Sequence, residues 1–289
     1  MTWFTDYTLR TVLIGSTILG VLSGMIGTWA VLRRQSLVGD GVAHAALPGV
    51  CLAFLLWHTR APVPLMIGAA FTGSLAMAWV KLARDGARVD QNTALGVALT
   101  TLFGLGIVLL SAIQNSPDAS KAGIDKFLFG QAAALVQSQV IAIAAAGLLA
   151  LFATLVLYKE LKALAFDPIF CQATGMNTTL IDVVQTAALV VAVVIGINTV
   201  GVVLMSALLV APAAAARQWT NKLGPMMILS GLLGGFCGAA GAILSVHISD
   251  LPTGPVIVLC LAVVVLLSLL FGSSRGLLTA RRRLRGATQ

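Results

Sequence analysis

The sequence predicts an all-α, polytopic transmembrane bundle of about nine spans (eight to ten), on three observations. Charges are too few for a water-covered surface, apolar runs recur at bilayer length, and basic residues gather on alternate loops. Charged residues make up 10% of the 289 and hydrophobic ones 58%, with a mean hydropathy of +0.99. Soluble domains carry about 25% charged residues, so the solvent around most of this chain has to be lipid. A hydrocarbon core about 30 Å thick takes roughly 20 apolar residues per helix. Residues 1–289 therefore read as one membrane domain with short loops and no sizeable soluble part.

The apolar runs lie at 9–32, 40–57, 61–82, 92–113, 137–157, 178–197, 199–217, 225–248 and 253–272. No basic segment and small-residue cleavage site mark the first as a signal peptide, so it reads as a retained span. Arg33 and Arg34, then Lys81, Arg84 and Arg88, then Lys159 and Lys162, then Arg217 and Lys222 all fall on one side. Lys and Arg are retained in the cytoplasm, which puts the N-terminus outside and the tail, with Arg281, Arg282, Arg283 and Arg285, inside. The net charge of +8 thus reads as anchoring beside anionic lipid, and nucleic-acid binding is excluded. Outside lie His58 to Arg60, the segment 114–126, a tight turn at Gly196 to Asn198, and His247 to Pro255. Residues 124–137, only moderately apolar and interrupted by Gly130, predict a short helix on or dipping into the outer face.

Glycines four apart (Gly20 with Gly24, Gly231 with Gly235, Gly234 with Gly238) predict close approach of helices in lipid. Cys51, Cys171, Cys237 and Cys260 show no CxxC spacing, and three lie in apolar runs, where a thiol behaves as a small hydrophobe.

The longest inside segment, 158–177, has its own punctuation. Asp167 suits an N-cap, Pro168 the first helical position and Gly175 the position after the C-cap. This predicts a helix of about two turns over 168–174, preceded by the charged stretch 159–162. A separately capped helix suits a docking knob for another protein; a helix lying on headgroups is the alternative. The chain has no Gly-Lys pair and hence no nucleotide-binding loop of the GxxxxGK type. Any ATPase that powers transport is therefore another polypeptide.

The segment Ser36-Leu-Val-Gly-Asp-Gly-Val-Ala-His-Ala-Ala-Leu-Pro-Gly49 opens the second span. Asp40 and His44 are four apart and share one helix face. A carboxylate and a neutral imidazole suit Mn²⁺, Fe²⁺ or Zn²⁺, and are too few for a closed structural site. Pro48 lacks the N–H that would bond the His44 carbonyl, so the helix is expected to bend there and free that carbonyl. The plainer reading keeps Asp40 at a helix N-terminus, where the macrodipole favours it, with His44 hydrogen-bonded in the bundle. Ser206 and Pro212, which should kink its span, are candidates for a pathway wall or gate together with Pro48. His247 and Asp250 are outer-face candidates for an external partner or ion, and His58 reads as solvated. No His-Glu-x-x-His occurs, and no second acid pairs with a histidine, which excludes an intramembrane hydrolase of that type.

The 36–49 segment resembles the SL-x-GDA-x-SHA-x-LPG segment of the permease subunits of manganese, zinc and iron ABC importers. So do Tyr158 to Gly175 (the YKE…FDP…G loop), Thr199 to Arg217, and Leu251 to Val258, in family order over most of the chain. Gly41 stands where Ala is usual and Ala43 where Ser is usual; neither change removes a ligand. The resemblance implies a type II ABC importer-like permease in the bacterial inner membrane, moving a divalent transition metal inward, manganese ahead of zinc or iron. It implies no permanently bound cofactor, and ATP hydrolysis by separate cytoplasmic ATP-binding subunits. Further implied partners are a second permease subunit, identical or not, and an extracytoplasmic metal-binding lipoprotein or periplasmic protein. Asp40 and His44 become the metal ligands, and Asp167 to Gly175 the coupling helix, with Glu160 and Phe166 in its motif. A stand-alone channel or secondary transporter using the same ligands is the alternative, which the capped helix disfavours.

Overall fold

In lipid each backbone N–H and C=O has to find its partner inside the protein, which leaves helices as the form of a long apolar run. The computed structural model describes residues 7–59, 61–115, 135–247 and 252–278, and all regular structure among them is helical. The helices are α1 (Tyr7–Leu32), α2 (Val38–Trp57), α3 (Pro62–Ala87), α4 (Gln91–Gln114), α5 (Gln137–Val156) and α6 (Tyr158–Phe166). Then follow α7 (Pro168–Ala173), α8 (Thr178–Val200), α9 (Val202–Trp219), α10 (Leu223–His247) and α11 (Thr253–Phe271). Eight of these, α1 to α5, α8, α10 and α11, are long and apolar enough to cross a membrane. The 18-residue α9, with Pro212 inside it, is not among the eight.

Three particulars differ from the sequence reading. The break expected at Asn198 falls at Gly201, whose φ of 92° ends α8 after Val200 and starts α9 at once. Helix α3 runs on to Ala87, so Lys81 and Arg84 are helical residues one turn apart. The charged stretch 159–162 is itself helical, within α6. The short outer helix expected over 124–137 lies almost wholly outside the described residues.

The chain divides into two compact units, 1–34 with 132–151 and 207–289, and 35–131 with 152–206. In the first, α1 packs along α10, and α10 against α11. The contact is a seam of small residues. A Cβ on Gly20 would collide with the Gly234 carbonyl, one on Gly24 with Ser230, and one on Gly238 with the Ser16 carbonyl. Ser230 Oγ donates to the Gly24 carbonyl at 2.6 Å across the seam. Lipid tails are as apolar as leucine, so such helices associate by close backbone packing.

In the second unit α2 is central, packed on α3, α4 and α8, while α8 also meets α3, α6 and α7. Its apolar stretch is 72% buried, against 33% for α3 and 22% for α4. The span carrying Asp40 and His44 is thus the most enclosed of its unit. That burial rests on small residues: Gly39, Gly41, Ala43, Ala45, Ala46 and Gly49 are all buried. Gly49 meets Gly68 of α3 so closely that a Cβ on either would strike the other's carbonyl.

Gly20→Ala is expected to lower stability by about 1–3 kcal/mol through overpacking. Gly104→Ala, with nothing within 4 Å of the added carbon, should leave it unchanged or raise it. Thermal unfolding of both variants in the same detergent checks the contrast, and equal melting would show that the seam is not close-packed.

Candidate functional site

The N-terminus of α2 has no side-chain cap from Leu37, so its first-turn amides depend on other groups. Asp40 stands in that first turn, where negative charge is favoured. One turn later His44 places Nε2 3.4 Å from Asp40 Oδ1. The Asp40 side chain is 37% exposed and that of His44 19%, on a helix whose other early residues are buried. Both expected residues of the pair therefore share one small opening.

Two further side chains complete the surround. The ring of Phe103, from α4, meets His44 edge to face with centroids 4.8 Å apart and planes at 82°. Ser206, in α9, offers its hydroxyl to the Asp40 carboxylate. Below the pair α4 lies flush on α2, because Gly106 has no side chain where a Cβ would come within 3.0 Å of Pro48. Cys51 donates its thiol to the Gly106 carbonyl at 3.8 Å. Pro48 is buried inside a helix that continues to Trp57.

His44 Nδ1 is buried and has no hydrogen-bond partner among the described residues. An imidazole nitrogen left unmet costs about 1–3 kcal/mol, so a group that binds there recovers that loss. The spacing of the pair also suits an ion. Two ligands about 2.1 Å from one tetrahedral centre stand about 3.4 Å apart. Among the described residues no group of three or more His, Cys, Asp or Glu side chains converges to hold a metal. One chain thus offers a carboxylate, an imidazole and a hydroxyl, which is a partial coordination shell.

The segment after α5 is built as its punctuation predicts. Asp167 accepts from Phe170 N at 2.9 Å, and Pro168 opens α7. Gly175, with φ of 76°, closes it while Met176 N reaches back to the Cys171 carbonyl and Gly175 N to that of Gln172. This is the doubled backbone cap that glycine permits. Leu161, Leu164 and Cys171 are buried, whereas Phe166, Ile169 and Phe170 are 65%, 79% and 57% exposed. Glu160 lies on the inner side, with Oε2 buried and without a hydrogen-bond partner among the described residues.

The remaining candidates fall elsewhere. Pro212 is buried in the first unit, against Gly234. His247, the last residue of α10, is exposed, with Nδ1 2.9 Å from the Ile243 carbonyl. Asp250 lies outside the described residues. His58 is exposed at the end of α2.

Long apolar helices, an acid and a histidine on the most enclosed span of one unit, and a capped knob between spans define a membrane transport permease. The chain belongs to the ABC 3 transport family, which matches residues 5–272, and it is a multi-pass membrane protein. It is 45% identical to the zinc transport system membrane protein TroC of Treponema pallidum, over 96% of this chain and 93% of that one. It is 40% identical to the manganese transport system membrane protein MntC of Bacillus subtilis, over 94% of this chain and 63% of that one. The solved structure of PsaBC from Streptococcus pneumoniae in complex with Fab has a TM-score of 0.81 at 27% identity. The match covers 98% of this chain and 97% of that one.

An edge-to-face aromatic contact contributes about 0.5–1.5 kcal/mol. Phe103→Ala should therefore release the His44 ring and reduce transport several-fold, with Phe103→Leu close behind and membrane insertion unaffected. Transport rates at matched membrane abundance check this, and full activity in the alanine variant would make the contact incidental.

Proposed function

We propose that this chain is the permease subunit of an ATP-binding-cassette importer that carries a divalent transition metal ion, manganese ahead of zinc or iron, into the bacterial cytoplasm. The observation that carries the reading is the Asp40–His44 pair, 3.4 Å apart on an enclosed helix with one ring nitrogen unmet. A resident metal has its histidine locked by a partner on the second nitrogen. An unlocked imidazole, one carboxylate and an open remainder suit an ion that arrives and leaves. The missing ligands would come from water and from a second permease subunit, identical or related.

The names of the relatives divide between zinc and manganese, so ligand chemistry has to decide. The donors are oxygen and nitrogen, and the one thiol on α2, Cys51, is turned to the Gly106 carbonyl. Such a set leans towards Mn²⁺ or Fe²⁺.

Orientation follows from the positive-inside rule. With α9 crossing, every cluster from Arg33–Arg34 to Arg217 and Lys222 lies on the cytoplasmic face. Without it, Arg217 and Lys222 would fall outside. At 18 residues, α9 is about 27 Å long, enough for a core about 30 Å thick that thins slightly. The N-terminus is then outside, and His247 with Asp250 faces the extracytoplasmic metal-binding protein that delivers the ion.

Separate cytoplasmic ATPase subunits would seat the apolar knob of Phe166, Ile169 and Phe170, for which an exposed patch of this kind is suited. Movement of α7 has a physical route to the ion. Helix α7 touches α8, and α8 touches α2. A nucleotide-driven shift of the knob thus bears on the span that holds Asp40 and His44. This docking surface is what separates an importer subunit from a stand-alone channel.

In cells expressing the whole assembly, Asp40→Ala and His44→Ala should each abolish metal uptake while the subunits still assemble in the membrane. Normal uptake in both would remove the pair from the pathway. Ile169→Asp should instead release the ATPase on purification, and retained ATPase with normal uptake would place docking elsewhere. Competition among Mn²⁺, Zn²⁺ and Fe²⁺ for uptake identifies the cargo.

A further inference from the structure

The second unit contains a cleft of about 240 Å³ between α3 and α8 that the transport reading does not use. The helices run antiparallel along it. Arg84 Nη2 lies 3.9 Å from Asp182 Oδ2 at one end, and Gly73 faces Val190 at the other. The two ends differ in chemistry. The mouth, beside the helix ends, presents Lys81, Arg84 and Asp182 with the amides of Gln35 and Gln91, which bond each other at 3.5 Å. Along the rest of the cleft Met77, Val183, Ala187 and Val190 form an apolar floor, buried at Val190 and open at Val183, which is 51% exposed, and Thr186 adds one hydroxyl.

Two cations meet two carboxylates here, but both carboxylates sit on Arg84. Arg84 is engaged twice by acids, with Asp85 at 3.0 Å and Asp182 at 3.9 Å. Lys81, one turn earlier on the same face, has no carboxylate partner among the described residues. A plain ion pair between helix ends would account for Arg84 and Asp182, but would leave both Lys81 and the volume without a purpose. The Lys81 ammonium, with no carboxylate on it among the described residues, repels the transported ion. The apolar floor does not suit a nucleotide. On the outside of α3, Trp79 and Leu82 are 50% and 68% exposed, so the cleft opens among residues fit for acyl chains.

We propose that this cleft seats one anionic phospholipid, with its phosphodiester on Lys81 and the Gln35 and Gln91 amides and an acyl chain along Met77, Ala187 and Val190. Basic pockets between spans at a membrane surface are a recurrent way of holding anionic headgroups. A cleft of about 240 Å³ takes a phosphate and the first carbons of a chain. The lipid would wedge α3 against α8, the helix that also meets α2.

The test is native mass spectrometry of the full-length chain purified with its partner subunits and offered equal phosphatidylglycerol and phosphatidylcholine. Wild type should retain phosphatidylglycerol preferentially. Lys81→Gln should lose about five-fold of that retention, Lys81→Arg should keep it, and Ala187→Trp should exclude lipid by filling the floor. Size-exclusion profiles matching wild type certify each variant as folded; if Lys81→Gln fails that check, Ala187→Trp carries the test. Equal retention of the two lipids by wild type, or of phosphatidylglycerol by wild type and Ala187→Trp, overturns the proposal. So does millimolar inorganic phosphate binding in place of the lipid, which would make free phosphate the ligand.

Discussion

An acid and a histidine held on the most enclosed span of their unit set the terms for everything around them. Ionisable side chains at membrane depth are costly, and they persist where they face a partner or a cavity. Here each is partly met. Asp40 has the His44 ring and the Ser206 hydroxyl, while His44 has Asp40 on one nitrogen and, among the described residues, no hydrogen-bond partner on the other. The residues flanking the pair on α2 are glycine, alanine and valine, which let neighbouring helices close around its first turns. A structural site would have completed the shell. The incomplete one suits passage.

The lipid solvent explains the rest of the architecture. With no hydrophobic force between helices in hydrocarbon, the chain packs by backbone approach, and glycines stand wherever a carbonyl of the next helix would otherwise meet a Cβ. The α1–α10 seam in the first unit and the Gly49–Gly68 contact in the second are the same device. An apolar cluster between spans, Phe166 with Ile169 and Phe170, stands on a helix only six residues long, α7, and at the end of α6. So short a helix is not stable by itself. Its caps at Asp167 and Gly175, and the buried Cys171, Leu161 and Leu164, hold the exposed face in place.

Much of this was legible in the sequence because it depends on short-range chemistry. Asp167, Pro168 and Gly175 announce a helix by cap residues alone, and the spacing of Asp40 and His44 is enough to put both on one face. Asn198 misled because polarity was read as a turn. In the chain the polar residue stays helical, and the break falls where Gly201 reaches a positive φ. Lys81 and Arg84 gave no sign that α3 continues past them, since the apolar run fades before the helix does. Phe103 was invisible for a different reason. It is one turn from Gly106 on the face of α4 that meets α2, and no local pattern says which helices are neighbours.

Electron–nuclear double resonance on Mn²⁺ bound to the purified whole assembly reads directly whether the ion passes through Asp40 and His44. A ¹⁴N coupling from a directly bound imidazole is expected in the wild-type assembly. It should vanish in His44→Gln while the ATPase subunits remain attached. A nitrogen coupling that persists unchanged in His44→Gln would contradict this route.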